Sequence, residues 1–202
     1  MPITSESELR AVYGEPSERS QQKVLGHLDR HCRRFIALSP FCVLSTAGPD
    51  GRAEVSPRGD VPGFVAVADE RTLLIPDRPG NNRTDSLRNV VAQPHVGLLF
   101  LVPGMNETLR VSGTAEIVTD ADVLKPLSMK GRPPVSVLRI TVERAFLHCA
   151  KALIRARLWD PAAHVERSSL PTYGQMLADQ IRGADAAAID ASLDEAARNR
   201  LY

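Results

Sequence analysis

The residues best spaced for chemistry in this sequence are arginines and asparagines arranged to hold an anion. Residues 73–88 read Leu-Leu-Ile-Pro-Asp-Arg-Pro-Gly-Asn-Asn-Arg-Thr-Asp-Ser-Leu-Arg. An apolar strand ends at Pro76, a turn-rich loop follows, and a helix is expected over 84–91. Asn81 and Asn82 stand at the expected helix start, with Arg83 and Arg88 in or beside it. A helix N-terminus offers unpaired N–H groups and the positive end of the dipole, which favour negative charge. Arginine adds planar, bidentate recognition of phosphate. A second arginine, Arg58, lies in Ser56-Pro57-Arg58-Gly59-Asp60, where a strand is expected to break, and could reach the same group. The plainer alternatives are a strand-to-helix connection capped by Asn82 and a surface ion pair between Arg58 and Asp60.

Three other groupings carry weaker signals. In Asn106-Glu107-Thr108-Leu109-Arg110, strand alternation puts Thr108, Arg110 and Ser112 on one face and Leu109 and Val111 on the other. Lys151 and Arg155, four apart after His148-Cys149-Ala150, share a helix face near the only tryptophan, Trp159. They read either as a solvated basic face or as a basic lid over a cofactor or anionic substrate. His27 and His31 are also four apart, but Leu28-Asp29-Arg30 between them is not the His-Glu-x-x-His zinc pattern, and no metal site is expected. The chain has no Walker A loop, no dinucleotide glycine fingerprint, no Gly-x-Ser-x-Gly elbow and no Cys-x-x-Cys pair.

Composition sets the frame. With 202 residues, 43% apolar and 24% charged, the chain fits one domain with helical extensions. A net charge of +1 gives no global pull toward nucleic acid or membrane, so any basic site must be local. The three cysteines, Cys32, Cys42 and Cys149, are odd in number and widely spaced, which argues against a disulfide framework. The start, Met-Pro-Ile-Thr-Ser-Glu, lacks a signal-peptide pattern, and no apolar run is long enough to cross a bilayer. A cytoplasmic location is expected.

The elements that must position these residues follow from periodicity. Ser5-Glu6-Ser7-Glu8 fits a capping box for a helix reaching Tyr13 and stopping at Gly14. A single helix is expected from Pro16-Ser17 to Pro40, with Val24, Leu25, Leu28, Cys32, Phe35 and Ile36 on its apolar face. Strands are expected at 41–46, 53–56, 64–67, 72–75, 95–102, 108–117 and 135–142, with a brief helix at 120–125. Residues 56–63 are expected to interrupt pairing. Helices are expected at 150–158, 173–181 and 186–200. Hairpin linkage predicts an antiparallel sheet, curled into a barrel or split barrel. The chain thus divides into an N-terminal helical extension (1–40), a barrel domain (41–150) and a C-terminal helical extension (151–202).

Taken together, four segments resemble the pyridoxamine 5′-phosphate oxidase-like, FMN-binding split-barrel family, in its branch of FMN-dependent enzymes of unknown substrate. They are Ser56-Pro-Arg58-Gly-Asp60, Ile75-Pro76-Asp77-Arg-Pro-Gly-Asn81-Asn82-Arg83, Asn106-Glu107-Thr108-Leu-Arg110-Val-Ser-Gly113 and His148-Cys-Ala-Lys151-Ala-Leu-Ile-Arg155. The resemblance spans residues 41–159. It implies a mainly β (α+β) fold, an antiparallel split β-barrel, that forms a homodimer with FMN between subunits. The family's phosphate-binding arginine falls on Arg58, and its Ser-Arg-Lys phosphate cluster falls on Asn81-Asn82-Arg83. Its flavin-contacting glutamine falls on Thr108. The resembling segments also place Asp60, Asp77, Glu107, Lys151 and Arg155 in the cofactor-binding set, and Ile75 and Pro76 against the flavin ring. Arg58 and the Asn82–Arg83 loop would come from one subunit and Thr108 from the other. Gly63 stands where pyridoxamine oxidases carry a ring-contacting lysine, and their C-terminal Arg-x-His is not evident, which argues against pyridoxamine phosphate as substrate. The implied activity is FMN-dependent oxidoreduction of a small molecule, with no catalytic side chain singled out. A non-catalytic flavin carrier or sensor, a haem-binding relative using His148, and a deazaflavin cofactor are the alternatives.

Overall fold

The computed structural model describes residues 1–199 and 201–202. Seven strands form one sheet: β1 (Phe41–Ala47), β2 (Ala53–Gly59), β3 (Ala66–Asp69), β4 (Thr72–Asp77), β5 (His95–Leu101), β6 (Thr108–Val118) and β7 (Ser136–His148). Their spatial order is β2-β1-β5-β6-β7-β4-β3, and every pairing is antiparallel. The sheet curls around one apolar core into a split barrel. Alternation drives this: in β6, Leu109 and Val111 are buried while Arg110 is exposed and Ser112 half-exposed. The core also takes Cys42, Leu44, Leu73, Ile75, Phe100, Leu138 and Ile140.

The two sheet edges, β2 and β3, are not neighbours in the ladder, and side chains bridge the seam on the β2 side. Arg58 in β2 donates to Asp77 in β4 over 2.8 Å. Ser56 in β2 lies 3.1 Å, Oγ to Oγ, from Ser86. Ser86 belongs to the helix inserted between β4 and β5, Asp85–Ala92, which the sequence places in the fourth helical position of the chain.

The helices before it are α1 (Glu6–Tyr13), α2 (Glu18–Gln22) and α3 (Arg30–Leu38), so the inserted helix is α4. The capping box at Ser5 and the left-handed Gly14 bound α1 as expected. The single helix expected over 16–40 is instead two. Leu25 leaves the helical path and exchanges both backbone hydrogen bonds with Ala145 of β7. The chain re-enters a helix only at Asp29, whose carboxylate caps the His31 and Cys32 amides. This break separates His27 from His31, so the two do not share a helix face. Buried Cys32, Phe35 and Ile36 then anchor α3 in the core.

Two strand expectations are also corrected. Pairing does not stop at Ser56: β2 runs through Pro57 to Gly59 in register with β1. Pro57 is tolerated because β2 is an edge strand and needs to donate on only one side. β7 runs on to His148, well past 142, because β6 continues alongside it from Val118 back to Thr108. A bulge near Glu143 absorbs one extra residue of β7 opposite Ser112 and Gly113. Beyond β6, a short helix α5 (Ala121–Leu124) leads into a 3₁₀ turn. The tail carries α6 (Lys151–Ala156), α7 (Tyr173–Gln180) and α8 (Ala186–Asn199). α6 stops short of the expected 158 because Arg157 turns left-handed, with φ 50°. The expected end of α8 at Arg200 lies outside the described residues. Among the described residues, no helix is long and apolar enough to cross a membrane.

Candidate functional site

The seam between β2 and α4 opens into a cleft of about 390 Å³. Its walls include Arg58 and Ser56 from β2, Asp77 from β4, residues 78–84 of the following loop, and Asp85 and Ser86 from α4. Backbone geometry explains why the loop lines the cleft. Asn82 and Thr84 both adopt left-handed backbone, with φ 57° and 55°. This is unusual for threonine, and such strain gathers at ligand sites. Thr84 occupies the cap position of α4 without making a side-chain cap. The expected cap, Asn82, does not serve; Asn81 instead accepts from the Arg83 amide over 3.1 Å. The leading N–H groups of α4 are therefore without a side-chain cap beside the cleft.

The cleft's cations are distributed unevenly. Arg58 uses Nη1 on Asp77, yet its Nε is buried and has no hydrogen-bond partner among the described residues. An unsatisfied buried guanidinium donor is costly, and it leaves Arg58, which lines the cleft, with unspent donor capacity. Arg83 is bonded to Asp85 over 2.8 Å, but its side chain is 74% exposed. Such a pair holds weakly, so Arg83 can turn to a ligand at little cost. Arg78 also lines the cleft, though sequence reasoning passed over it; its position directly after Asp77 at a strand end was the available signal. Arg88 faces a different depression, with Asp50 and Arg52, and does not reach the cleft.

Asp60 is spent elsewhere. It does not pair with Arg58. Its carboxylate, 1% exposed, accepts from Arg78 Nε at 2.8 Å, the Val61 amide at 2.8 Å and the Tyr202 hydroxyl at 2.7 Å. Burial works against its charge, but these hydrogen bonds outweigh it and hold the carboxyl below its ordinary value. Ile75 and Pro76 are also buried, with the Ile75 side chain in the core. Neither lines the cleft.

Of the remaining sequence candidates, Thr108 lies on the outer sheet face. A second cleft, about 700 Å³, runs over β1, β5, β6 and β7 under α6. Thr108, Arg110 and Ser112 line it together, as alternation requires. Thr108 sits directly across from His148 in the ladder, and His148 and Cys149 line the same cleft. Arg110 stacks over the Phe146 ring at 5.2 Å. Glu107, Lys151 and Arg155 are exposed and line neither cleft; α6 turns Ala152 and Leu153 to the cavity instead. Trp159 donates to the Met105 carbonyl over 2.7 Å, tying the segment after α6 to the β5–β6 turn. The phosphate candidates and Thr108 therefore occupy separate clefts of one chain.

Cys32 and Cys42 are buried free thiols, and burial pushes both up to about 12, away from the thiolate form. Among the described residues, no group of three or more His, Cys, Asp or Glu could hold a metal ion.

Comparison with known proteins bears on the family and the fold. The profile of a family described as pyridoxamine 5′-phosphate oxidase matches residues 28–149. Among solved structures, a variant form of HupZ from Group A Streptococcus is 18% identical, with a TM-score of 0.50 over 60% of this chain and 99% of that one. A candidate pyridoxamine 5′-phosphate oxidase from Lactobacillus delbrueckii is 21% identical, with a TM-score of 0.47 over 60% and 95%. A conserved hypothetical protein from Mycobacterium tuberculosis is 18% identical, with a TM-score of 0.47 over 70% and 94%. At such identities the likeness bears on the fold alone. No curated protein matches the chain.

Proposed function

This chain belongs to the pyridoxamine 5′-phosphate oxidase family, and we propose that it binds FMN at the β2–α4 cleft and acts as an oxidoreductase on a small molecule. The observation that carries the reading is the buried, partnerless Nε of Arg58 in a cleft that also gathers Arg83 and the uncapped start of α4. A phosphate monoester suits that donor set. Arg58 Nε and the α4 amides supply fixed donors, and Arg83 closes from the solvent side. Asn82, in its left-handed turn, completes the cradle. Asp77 holds Arg58 in place through Nη1 and leaves Nε for the ligand.

Flavin supplies hydride or electron transfer when bound, and the protein's part is to bind, orient and exclude water. The ring contact assigned to Thr108 lies in the second cleft, away from Arg58, so one ligand would reach both through two chains. A homodimer related by a two-fold axis would bring each chain's phosphate cleft to the other's Thr108 face and create two equivalent sites. Lys151 and Arg155, exposed on α6, are proposed to cover such a site from outside.

The visible spectrum and mass of the chromophore that copurifies with the protein test this reading. A flavin spectrum with the mass of FMN is expected. A Soret band would contradict it and favour haem, with His148 in the second cleft as ligand. The mass of a deazaflavin would keep the barrel but replace the cofactor. Bound FMN that neither a nicotinamide donor nor a reduced substrate with oxygen turns over would make the protein a carrier or sensor.

A further inference from the structure

The chain beyond α6 has no part in the reading above, yet its last residue reaches the cleft's supporting network. The Tyr202 hydroxyl donates to Asp60 Oδ1 over 2.7 Å. Asp60 Oδ2 accepts from Arg78 Nε over 2.8 Å, and Arg78 Nη1 donates to the Leu127 carbonyl over 2.9 Å. The Tyr202 ring lies 5.9 Å from the Arg78 guanidinium and 4.9 Å from the Lys130 ammonium. Arg132 donates to the Tyr202 main-chain oxygen over 2.6 Å. Tyr202 is thus held at its hydroxyl, its ring and its backbone.

Arg78 joins this clasp to the site. It lines the β2–α4 cleft and is the residue from which the loop of Gly80, Asn81, Asn82 and Arg83 departs. Pro79, next to it, lines both that cleft and the depression under Tyr202. Without the tyrosine, Asp60 loses a donor, the Asp60–Arg78 pair opens to water, and Arg78 is freed to move. A screened pair holds an arginine far less firmly than a covered one.

From these contacts we infer that Tyr202 is a positioning residue: it latches the C-terminal segment onto Asp60 and Arg78 and thereby fixes the loop that carries Asn82 and Arg83. The inference rests on the FMN reading for its consequence and on the contacts alone for the latch. Because coupling is reciprocal, a ligand that needs the ordered loop also tightens the latch. Anything that removes the tyrosine hydroxyl from Asp60 would weaken the grip on the phosphate.

Two measurements on the full chain test it, using Tyr202→Phe and Tyr202→Ala. The first is amide hydrogen exchange without ligand. Both variants should speed exchange at residues 80–84 and leave the β6–β7 ladder unchanged. Unchanged exchange at 80–84, or acceleration across the whole barrel, overturns the latch. The second is titration with FMN and with riboflavin. FMN affinity should fall about tenfold in Tyr202→Ala, as for loss of one hydrogen bond to a charged group, while riboflavin affinity stays put. Equal weakening of both ligands, or no change in FMN affinity, overturns the coupling. If the wild type itself fails to prefer FMN over riboflavin, the phosphate reading falls, and the exchange data still decide the latch.

Discussion

Only Gly59 separates Arg58 from Asp60, yet the structure gives the two side chains different partners. Arg58 is bonded to Asp77, with a spare donor at Nε; Asp60 is enclosed by Arg78, Val61 and Tyr202. Sequence proximity suggested a local pair, but the seam of the barrel supplies better-placed partners for each. The Asp60 carboxyl is held below its ordinary value, so its contribution is present above the unfolded carboxylate pKa. It is lost as pH falls through the lower folded value. Asp60→Asn should therefore lose about 3–5 kcal/mol at neutral pH, the cost of breaking a buried pair. The gap from wild type should shrink in acid as Asp60 itself takes up a proton. Urea unfolding of both proteins from neutral pH down into the carboxylate range measures this; a gap that stays constant would show that Asp60 matters for shape and not for charge.

The elements depend on one close approach between strands. At the β6–β7 bulge, a Cβ on Gly113 would overlap the Thr141 carbonyl oxygen, an atom of the sheet backbone that cannot swing away. Gly113→Ala should destabilise the barrel by about 1–3 kcal/mol or more, read as a lower urea midpoint with an unchanged slope. An unaltered midpoint would mean that the bulge relaxes freely. Much of this architecture was legible beforehand. Period-two patterning located the strands, and the turn residues after Pro76 located the loop and α4. Three features were not legible for physical reasons. Pro57 reads as a breaker unless β2 is known to be an edge. The apolar spacing of 24–36 continues across a helix break that Leu25 makes by pairing with β7. The bond from Tyr202 to Asp60 spans most of the chain and leaves no local pattern. Of the residues that line the β2–α4 cleft, Arg58, Asn82 and Arg83 stand out by residue type and spacing, whereas Arg78 acquires its place only through tertiary contacts.

At the scale of the whole molecule, the separation of the two clefts is the fact that needs explaining. Arg58 and Thr108 line different cavities of one chain, and the proposed answer is a homodimer. Light scattering at micromolar concentration should give a particle of about twice the 22.0 kDa chain mass. A 22.0 kDa particle would leave Thr108 without a role in the site.

The central claim is that the cleft grips a phosphate, and parallel titration of FMN and riboflavin against wild type, Arg58→Ala and Arg83→Ala tests it most directly. Each lost charge-assisted hydrogen bond is worth about 1.5–3 kcal/mol, so FMN should bind each variant about 10- to 100-fold more weakly. Riboflavin, which has no phosphate, should bind the wild type far more weakly than FMN and be nearly indifferent to both substitutions. FMN affinity that survives both changes, or riboflavin affinity that falls in step with it, would contradict the account and make the two arginines structural.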